Sequence, residues 1–217
     1  MRRFALVSFA ALALTACGQN AQKSAAPPPP APSVAGAFPN LFQASFREEV
    51  TMTRNGQAVP IVIARDGRKT RLEFTADGVP QVVILDADSQ TAVLVMEMGG
   101  QRMAIRTQSA SIQDVSEQWR GGDGKTIHAI GPCSVVGEDG TEWEQQDDSG
   151  KTGSACVTPD GIILRATSNG QTVWEATRLQ RGPQAAALFQ PPPGVRVMDG
   201  GPGLAAALGQ RMQGKKP

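Results

Sequence analysis

The sequence predicts a mainly β protein, α+β by virtue of one short helix: an antiparallel meander forming a strongly curved sheet or unclosed half-barrel. Three observations predict it. Turn dipeptides recur every 11 residues, at Asn55-Gly56, Asp66-Gly67, Asp77-Gly78, Asp88-Ser89 and Gly99-Gly100. Asn-Gly, Asp-Gly and Gly-Gly supply the positive φ angles of two-residue hairpin turns. Reflection about these turns faces 50 with 61, 61 with 72, 72 with 83, 83 with 94 and 94 with 105. Those positions hold Val50, Ile61, Leu72, Val83, Leu94 and Ile105, one apolar row across six strands. An 11-residue period also suits a helical repeat, but the recurring Gly and β-branched runs such as Ile61-Val62-Ile63 exclude that reading.

Ahead of the meander, residues 1–16 read as a lipoprotein signal peptide. Arg2 and Arg3 precede an apolar run from Phe4 to Leu14. Eleven helical residues span about 17 Å, short of the ~30 Å hydrocarbon core, so the run is an export signal and not a membrane span. The following Leu14-Thr15-Ala16-Cys17 resembles the lipobox of bacterial lipoproteins. That resemblance implies that Cys17 carries the lipid, palmitate included, and anchors the protein to a membrane. Two or more acyl chains make such anchoring stable. Gly18, standing where an Asp signals inner-membrane retention, implies the outer membrane, facing the periplasm.

Residues 17–40 read as the lipidated Cys and a Pro-rich linker, residues 41–198 as a β-rich periplasmic domain, and 199–217 as a flexible tail. The tract Pro27-Pro28-Pro29-Pro30 favours polyproline II and makes the linker a stalk.

Within the meander, Met52 is expected opposite Val59 and Met96 opposite Met103 on the apolar face, with Glu97 opposite Arg102 on the other. That second face carries Val82, Ile84, Val93 and Val95, a patch that needs a cover. Residues 110–120 place Ile112, Val115 and Trp119 at helical spacing and supply the expected covering helix. A second strand block follows at 125–136, 141–146, 154–158, 162–167 and 172–179, with turns at Asp139-Gly140, Asp160-Gly161 and Asn169-Gly170. Arg165 is expected opposite Trp174 in a cation–π contact. Phe189-Gln190-Pro191-Pro192-Pro193 is expected as an extended rim.

Export makes a Cys133–Cys156 disulfide the default. A flat meander sets strands two apart at ~9.5 Å, beyond the ~7 Å that a disulfide tolerates. Either a loop at 147–153 interrupts the meander or the sheet bends sharply.

Lipobox, stalk, meander and helix together resemble the lipoprotein-localisation-factor (LolA/LolB-like) superfamily or related uncharacterised envelope domains. The residues carrying this are Arg68-Lys69-Thr70-Arg71-Leu72-Glu73 followed by Val82-Val83-Ile84-Leu85-Asp86, within residues 44–190. The resemblance implies an unclosed half-barrel whose concave face takes acyl chains. The chain departs from it by its disulfide and by the lack of a long helix before the first strand.

Chemistry narrows the function further. With 21 basic and 20 acidic side chains, the net charge of +1 offers no nucleic-acid surface. Gly-Lys-Thr at 124–126 and 150–152 lacks the P-loop glycine, and the Asp86/Asp88 run has Thr91 where a calcium loop requires Gly. His128 is the single imidazole, and Asp147-Asp148 reads as solvated charge. No catalytic residue, cofactor or metal site is expected, and the chain is not read as an enzyme. The leading expectation is an apolar ligand, a lipid or acyl chain, on the concave face against Met52, Ile61, Leu72, Phe74, Leu85, Leu94, Met96, Met103 and Ile105. The alternative is an accessory module docking an envelope protein through an exposed Val82/Ile84/Val93/Val95 patch. A third reading has Met96, Met98 and Met103 holding Cu(I) in the periplasm.

Overall fold

Hairpin after hairpin lays the described residues into twelve strands of one sheet. The structure is a computed structural model, and it describes residues 36–54, 56–76, 78–108, 116, 119, 126–146, 150 and 152–201, the side chains of Arg54 and Met98 excepted. The signal peptide, Cys17 and the Pro-rich tract lie outside the described residues, as do Ile112, Val115 and the tail from 202. No helix among the described residues is long and apolar enough to cross a membrane.

The strands are β1 (Ser45–Arg54), β2 (Gln57–Asp66), β3 (Lys69–Ala76), β4 (Val79–Asp86), β5 (Thr91–Met98), β6 (Gln101–Gln108), β7 (Thr126–Val135), β8 (Glu138–Gln146), β9 (Thr152–Val157), β10 (Ile163–Ser168), β11 (Gln171–Arg181) and β12 (Arg196–Asp199). Their order in the sheet is β12-β6-β5-β4-β3-β2-β1-β11-β10-β9-β8-β7. Two antiparallel meanders, β1–β6 and β7–β11, are joined where β1 pairs with β11. The sheet does not close, so the architecture is a half-barrel with β7 and β12 at its edges.

Register in the first meander follows the turns closely. Val50 faces Ile61, Leu72 faces Val83, Val83 faces Leu94, and Leu94 faces Ile105. Met52 faces Val59, Met96 faces Met103, and Glu97 faces Arg102. The Asp88-Ser89 turn widens to the four residues 87–90 without moving the register, and one turn shifts it. Asp66 stays in β2 and pairs with Lys69, so the reversal falls on Gly67-Arg68 and Ile61 faces Phe74 instead of Leu72. Two contacts explain the shift: Ser45 Oγ donates to Asp66 Oδ1, and Gly67 N donates to Ala44 O at 3.2 Å. The displacement is by two residues, so every side chain keeps its face.

The inner face is concave. A single small cavity touches both Leu72 on β3 and Ile163 on β10, which a flat sheet would hold four strand spacings, ~19 Å, apart. Across the second meander the inner row reads Met52, Trp174, Ala166, Ala155, Trp143, Ala129. Three of its members are alanines, leaving room on the concave side for the two indoles. Trp119 is also buried, and Phe38 stacks on it at 6.2 Å while meeting Trp143 edge-on at 5.2 Å.

Two further register expectations are corrected. A bulge between Ala166 and Thr167 sets Trp174 opposite Ala166, not Arg165. Arg165 therefore lies on the outer face and binds Glu142 at 2.9 Å. The β7–β8 reversal falls on Val136-Gly137, both at positive φ (50° and 78°), not on Asp139-Gly140. Glycine suits the second position, while the first forces an exposed β-branched residue into a conformation it rarely adopts.

Gly140 instead serves the disulfide. Cys133 on β7 and Cys156 on β9 are joined across β8, with their Cα atoms 5.9 Å apart. The sheet bends there, as one of the two alternatives required. Cys133 pairs with Gly140, and a Cβ at 140 would sit 3.3 Å from Cys133 Sγ and 2.7 Å from Val157 O. We expect Gly140→Ala to cost about 1–3 kcal/mol through this overpacking, read as a lowered Tm by calorimetry. Asp139→Ala, at an exposed neighbour, is expected to stay within about 0.5 kcal/mol.

The outer patch is not exposed. Ile84, Val93, Val95 and Ala104 are buried, and Phe189, Val195 and Val197 pack against them. The segment after β11 is thus not an extended rim. It forms a 3-10 turn at Ala186–Phe189 and ends in β12, which pairs in parallel with β6. Leu188 O accepts from Arg71 Nη1 at 3.2 Å, and Gly200 N donates to Arg106 O at 2.7 Å. This C-terminal strap supplies the cover for which residues 110–120 had been the expected source. Of that expected helix, Ser116 is helical and Trp119 lies in a turn.

Candidate functional site

Three parallel rows cross the concave face of β2–β6. The first holds Ile61, Phe74, Gln81, Met96 and Met103, paired in register from strand to strand. The second holds Ile63, Leu72, Val83, Leu94 and Ile105, and the third Arg65, Thr70, Leu85, Ala92 and Thr107. Burial deepens from row to row. Phe74, Gln81, Met96 and Met103 are half-buried, whereas Val83, Leu94 and Ile105 are buried and the third row is buried throughout.

The expected ligand-contacting residues therefore divide. Ile61, Leu85, Leu94 and Ile105 are buried side chains. Met52, Leu72, Phe74, Met96 and Met103 are half-buried. Phe74, Met96 and Met103 gather at the end of the sheet where the Gly78 and Gly99-Gly100 turns lie. At that end of the concave face the row is half-buried, apolar but for Gln81, and built partly from thioethers that adapt their shape to what they touch.

The opposite end is polar, and sequence reasoning passed over it. Glu48 (2% exposed) and Arg65 (3% exposed) lie on the concave face among apolar neighbours. Burial pushes the Glu48 carboxyl well above the ordinary glutamate range, with the Arg65 charge opposing only in part. Glu48 Oε1 has no hydrogen-bond partner, and neither has the buried Nε1 of Trp174. Arg65 donates to Leu41 O at 3.2 Å and to Ser116 Oγ at 3.0 Å, and its guanidinium lies 5.3 Å from the centre of the Phe42 ring. A cavity of about 20 Å³ borders Glu48, Arg65, Ser116 and Trp174, room for one water molecule. The signal was present in the sequence. Glu48 interrupts Phe46-x-Glu48-x-Val50, and Arg65 interrupts Ile61-x-Ile63-x-Arg65, on adjacent strands.

The outer face has a groove of about 230 Å³ between the sheet and the strap, with Arg71 and Arg102 flanking an apolar floor of Val82, Val95 and Pro192. His128 sits exposed on β7, 3.5 Å from Glu144, as a surface pair. Asp147 and Asp148 lie outside the described residues. Met96 and Met103 are direct neighbours as the copper reading requires. The third side chain of that reading, Met98, is outside the description. Beneath the outer face, the two disulfide sulfurs and a Glu142 oxygen lie within 4.8 Å of one another.

No protein-family model matches the chain, and no curated protein matches it. Solved structures do. An uncharacterised conserved protein from Thermus thermophilus is similar over 72% of this chain and 91% of its own, with 11% identity and a TM-score of 0.52. PNGF-II is similar over 77% of this chain, with 12% identity and a TM-score of 0.49, but the match spans only 33% of its own length. A LolA superfamily protein from Nitrosomonas europaea is similar over 71% of this chain and 93% of its own, with 9% identity and a TM-score of 0.33. At 11% identity the likeness to the Thermus thermophilus protein is one of fold alone.

Proposed function

We propose that the chain is a non-enzymatic lipoprotein of the bacterial cell envelope that holds an apolar ligand, a lipid or acyl chain, against its concave face. Cys17 carries the lipid anchor after removal of residues 1–16, the Pro-rich segment is the stalk, and the outer membrane, facing the periplasm, is the address. The observation that carries the ligand is the set Phe74, Met96 and Met103, half-buried apolar side chains in one row with Gln81 between Phe74 and Met96, beside an apolar row buried at every position but Leu72. A chain laid along them would bury both its own surface and theirs, at about 25 cal/mol per Å² of apolar area removed from water. The docking alternative rested on an open outer patch, which the strap covers.

Mass spectrometry of the purified chain is the direct test, with a fluorescent fatty acid as the titrated probe. We expect co-purified lipid and a saturable probe signal that falls at least about tenfold in affinity in the double variant Met96→Gln, Met103→Gln, since each loses roughly 1–2 kcal/mol of apolar contact. A probe affinity unchanged in that variant sinks the concave-face reading. Cys17→Ser separately tests the anchor, and should move the protein from the membrane to the soluble fraction.

A further inference from the structure

We propose that the Cys133–Cys156 pair, once reduced, is a metal site in which two thiolates and the Glu142 carboxylate close on one zinc-like divalent ion. The two Sγ atoms and a Glu142 oxygen already lie within 4.8 Å of one another. Zinc binds thiolate sulfur at about 2.3 Å and carboxylate oxygen at about 2.0–2.2 Å, so small side-chain shifts bring all three to one ion.

The surroundings hold these groups in place. Glu142 accepts from Ser154 Oγ at 2.6 Å and from Arg165 Nη2 at 2.9 Å, which fixes its plane as outer contacts do around metal ligands. Cys133 and Cys156 sit on strands brought to a 5.9 Å Cα separation across Gly140, and strand pairing through β8 keeps the thiols adjacent after the S–S bond opens. Charge is also matched. Two thiolates and a carboxylate are balanced by Arg165 together with a divalent ion. Cys133 is half-buried while Cys156 is fully buried, so reductant and metal approach from the Cys133 side and a water can complete the tetrahedron.

The chemistry runs in two steps. A dithiol reductant gives up two electrons and two protons and becomes a disulfide, while the protein S–S bond breaks into two thiols. Metal binding then forms two metal–sulfur bonds and releases the two thiol protons. An oxidising envelope keeps the disulfide as the resting state, so the site is gated by redox.

The test uses the full chain with Cys17→Ser, so that no third thiol reports, reduced by a phosphine that is then removed anaerobically. Co²⁺ is the spectroscopic probe and Zn²⁺ the competitor. We expect one equivalent of Co²⁺ with a thiolate charge-transfer band and tetrahedral d–d bands, displaced by Zn²⁺ and absent from the oxidised chain. Glu142→Gln should weaken Co²⁺ at least about tenfold, and Cys156→Ser should abolish the charge-transfer band. If reduction unfolds the chain, recovery of its far-ultraviolet circular dichroism on adding Zn²⁺ supports the site. Three results overturn the proposal: no charge-transfer band, an affinity indifferent to Glu142→Gln, or unfolding that Zn²⁺ does not reverse.

Discussion

Gly161→Ala is expected to lower stability by about 2–5 kcal/mol, the largest effect of a methyl group added at any of the described glycines. Gly161 has φ +85°, and a Cβ there would fall 2.2 Å from Asn40 O and 2.8 Å from Asn40 C. Two costs add: about 1–2 kcal/mol for a left-handed L-residue and about 1–3 kcal/mol for overpacking. The turn itself has little freedom to give way. Thr158, fully buried, accepts from Ile162 N at 2.9 Å through its Oγ1 and from Gly161 N at 2.9 Å through its carbonyl. Relief must come from the chain entering the domain, at Asn40 and Leu41. That movement would draw Phe38 off Trp119 and Trp143 and Leu41 O away from Arg65. Urea titration should show the loss together with a red shift of the tryptophan emission at low denaturant. Gly36→Ala, in the same segment but with nothing within 4 Å of the new Cβ, should leave both unchanged.

The difference between those two glycines shows where sequence reasoning succeeds. Hairpin turns are local, so dipeptides at 55, 77 and 99 fix strand pairing across two residues of chain, and most of the β1–β6 register follows from them. The turns at 66 and 139 escaped because a distant contact outbid the dipeptide. Ser45 holds Asp66 in its strand, and the disulfide needs Gly140 where a side chain would block it. Closure of β1 on β11 joins positions more than 120 residues apart, such as Val50 and Ala176, and no periodicity announces it. The strap was misread for a related reason. Its three prolines argue against a strand, and they do lie outside one, but Val195 and Val197 beyond them reach a patch laid down a hundred residues earlier. The apolar half of the candidate site was legible as a row of reflected residues. The polar half was legible only as an exception to that row, at Glu48 and Arg65, and an exception acquires meaning once its burial is known.

That exception yields the second large effect. Glu48→Gln is expected to remove a pH dependence that the native chain carries. Burial raises the folded-state pKa of Glu48 above its unfolded value, near ~4.3 for an unperturbed glutamate. Between those two values the folded chain keeps a proton that the unfolded chain has shed. Stability is therefore fully present below the unfolded pKa and falls as pH rises toward the folded one, by up to about 1.4 kcal/mol per pH unit. Asp160 works in the opposite sense, because its Arg181 hydrogen bond lowers its pKa and its contribution is lost as pH falls. The raw pH profile mixes the two, so the informative quantity is the difference between native chain and Glu48→Gln in urea titrations from pH 4 to pH 8. The gap should widen in favour of Gln as pH rises. A difference that stays flat would mean that Glu48 ionises in the folded state as readily as in water. Arg65→Met supplies the converse. It removes the donors to Leu41 O and Ser116 Oγ and the cation beside Phe42, at a cost of about 3 kcal/mol. It also extends the Glu48 slope to higher pH, since the Arg65 charge that offsets burial is gone. A pH range unchanged by Arg65→Met would assign the carboxyl's perturbation to burial alone and leave Arg65 as a clamp on the entering segment.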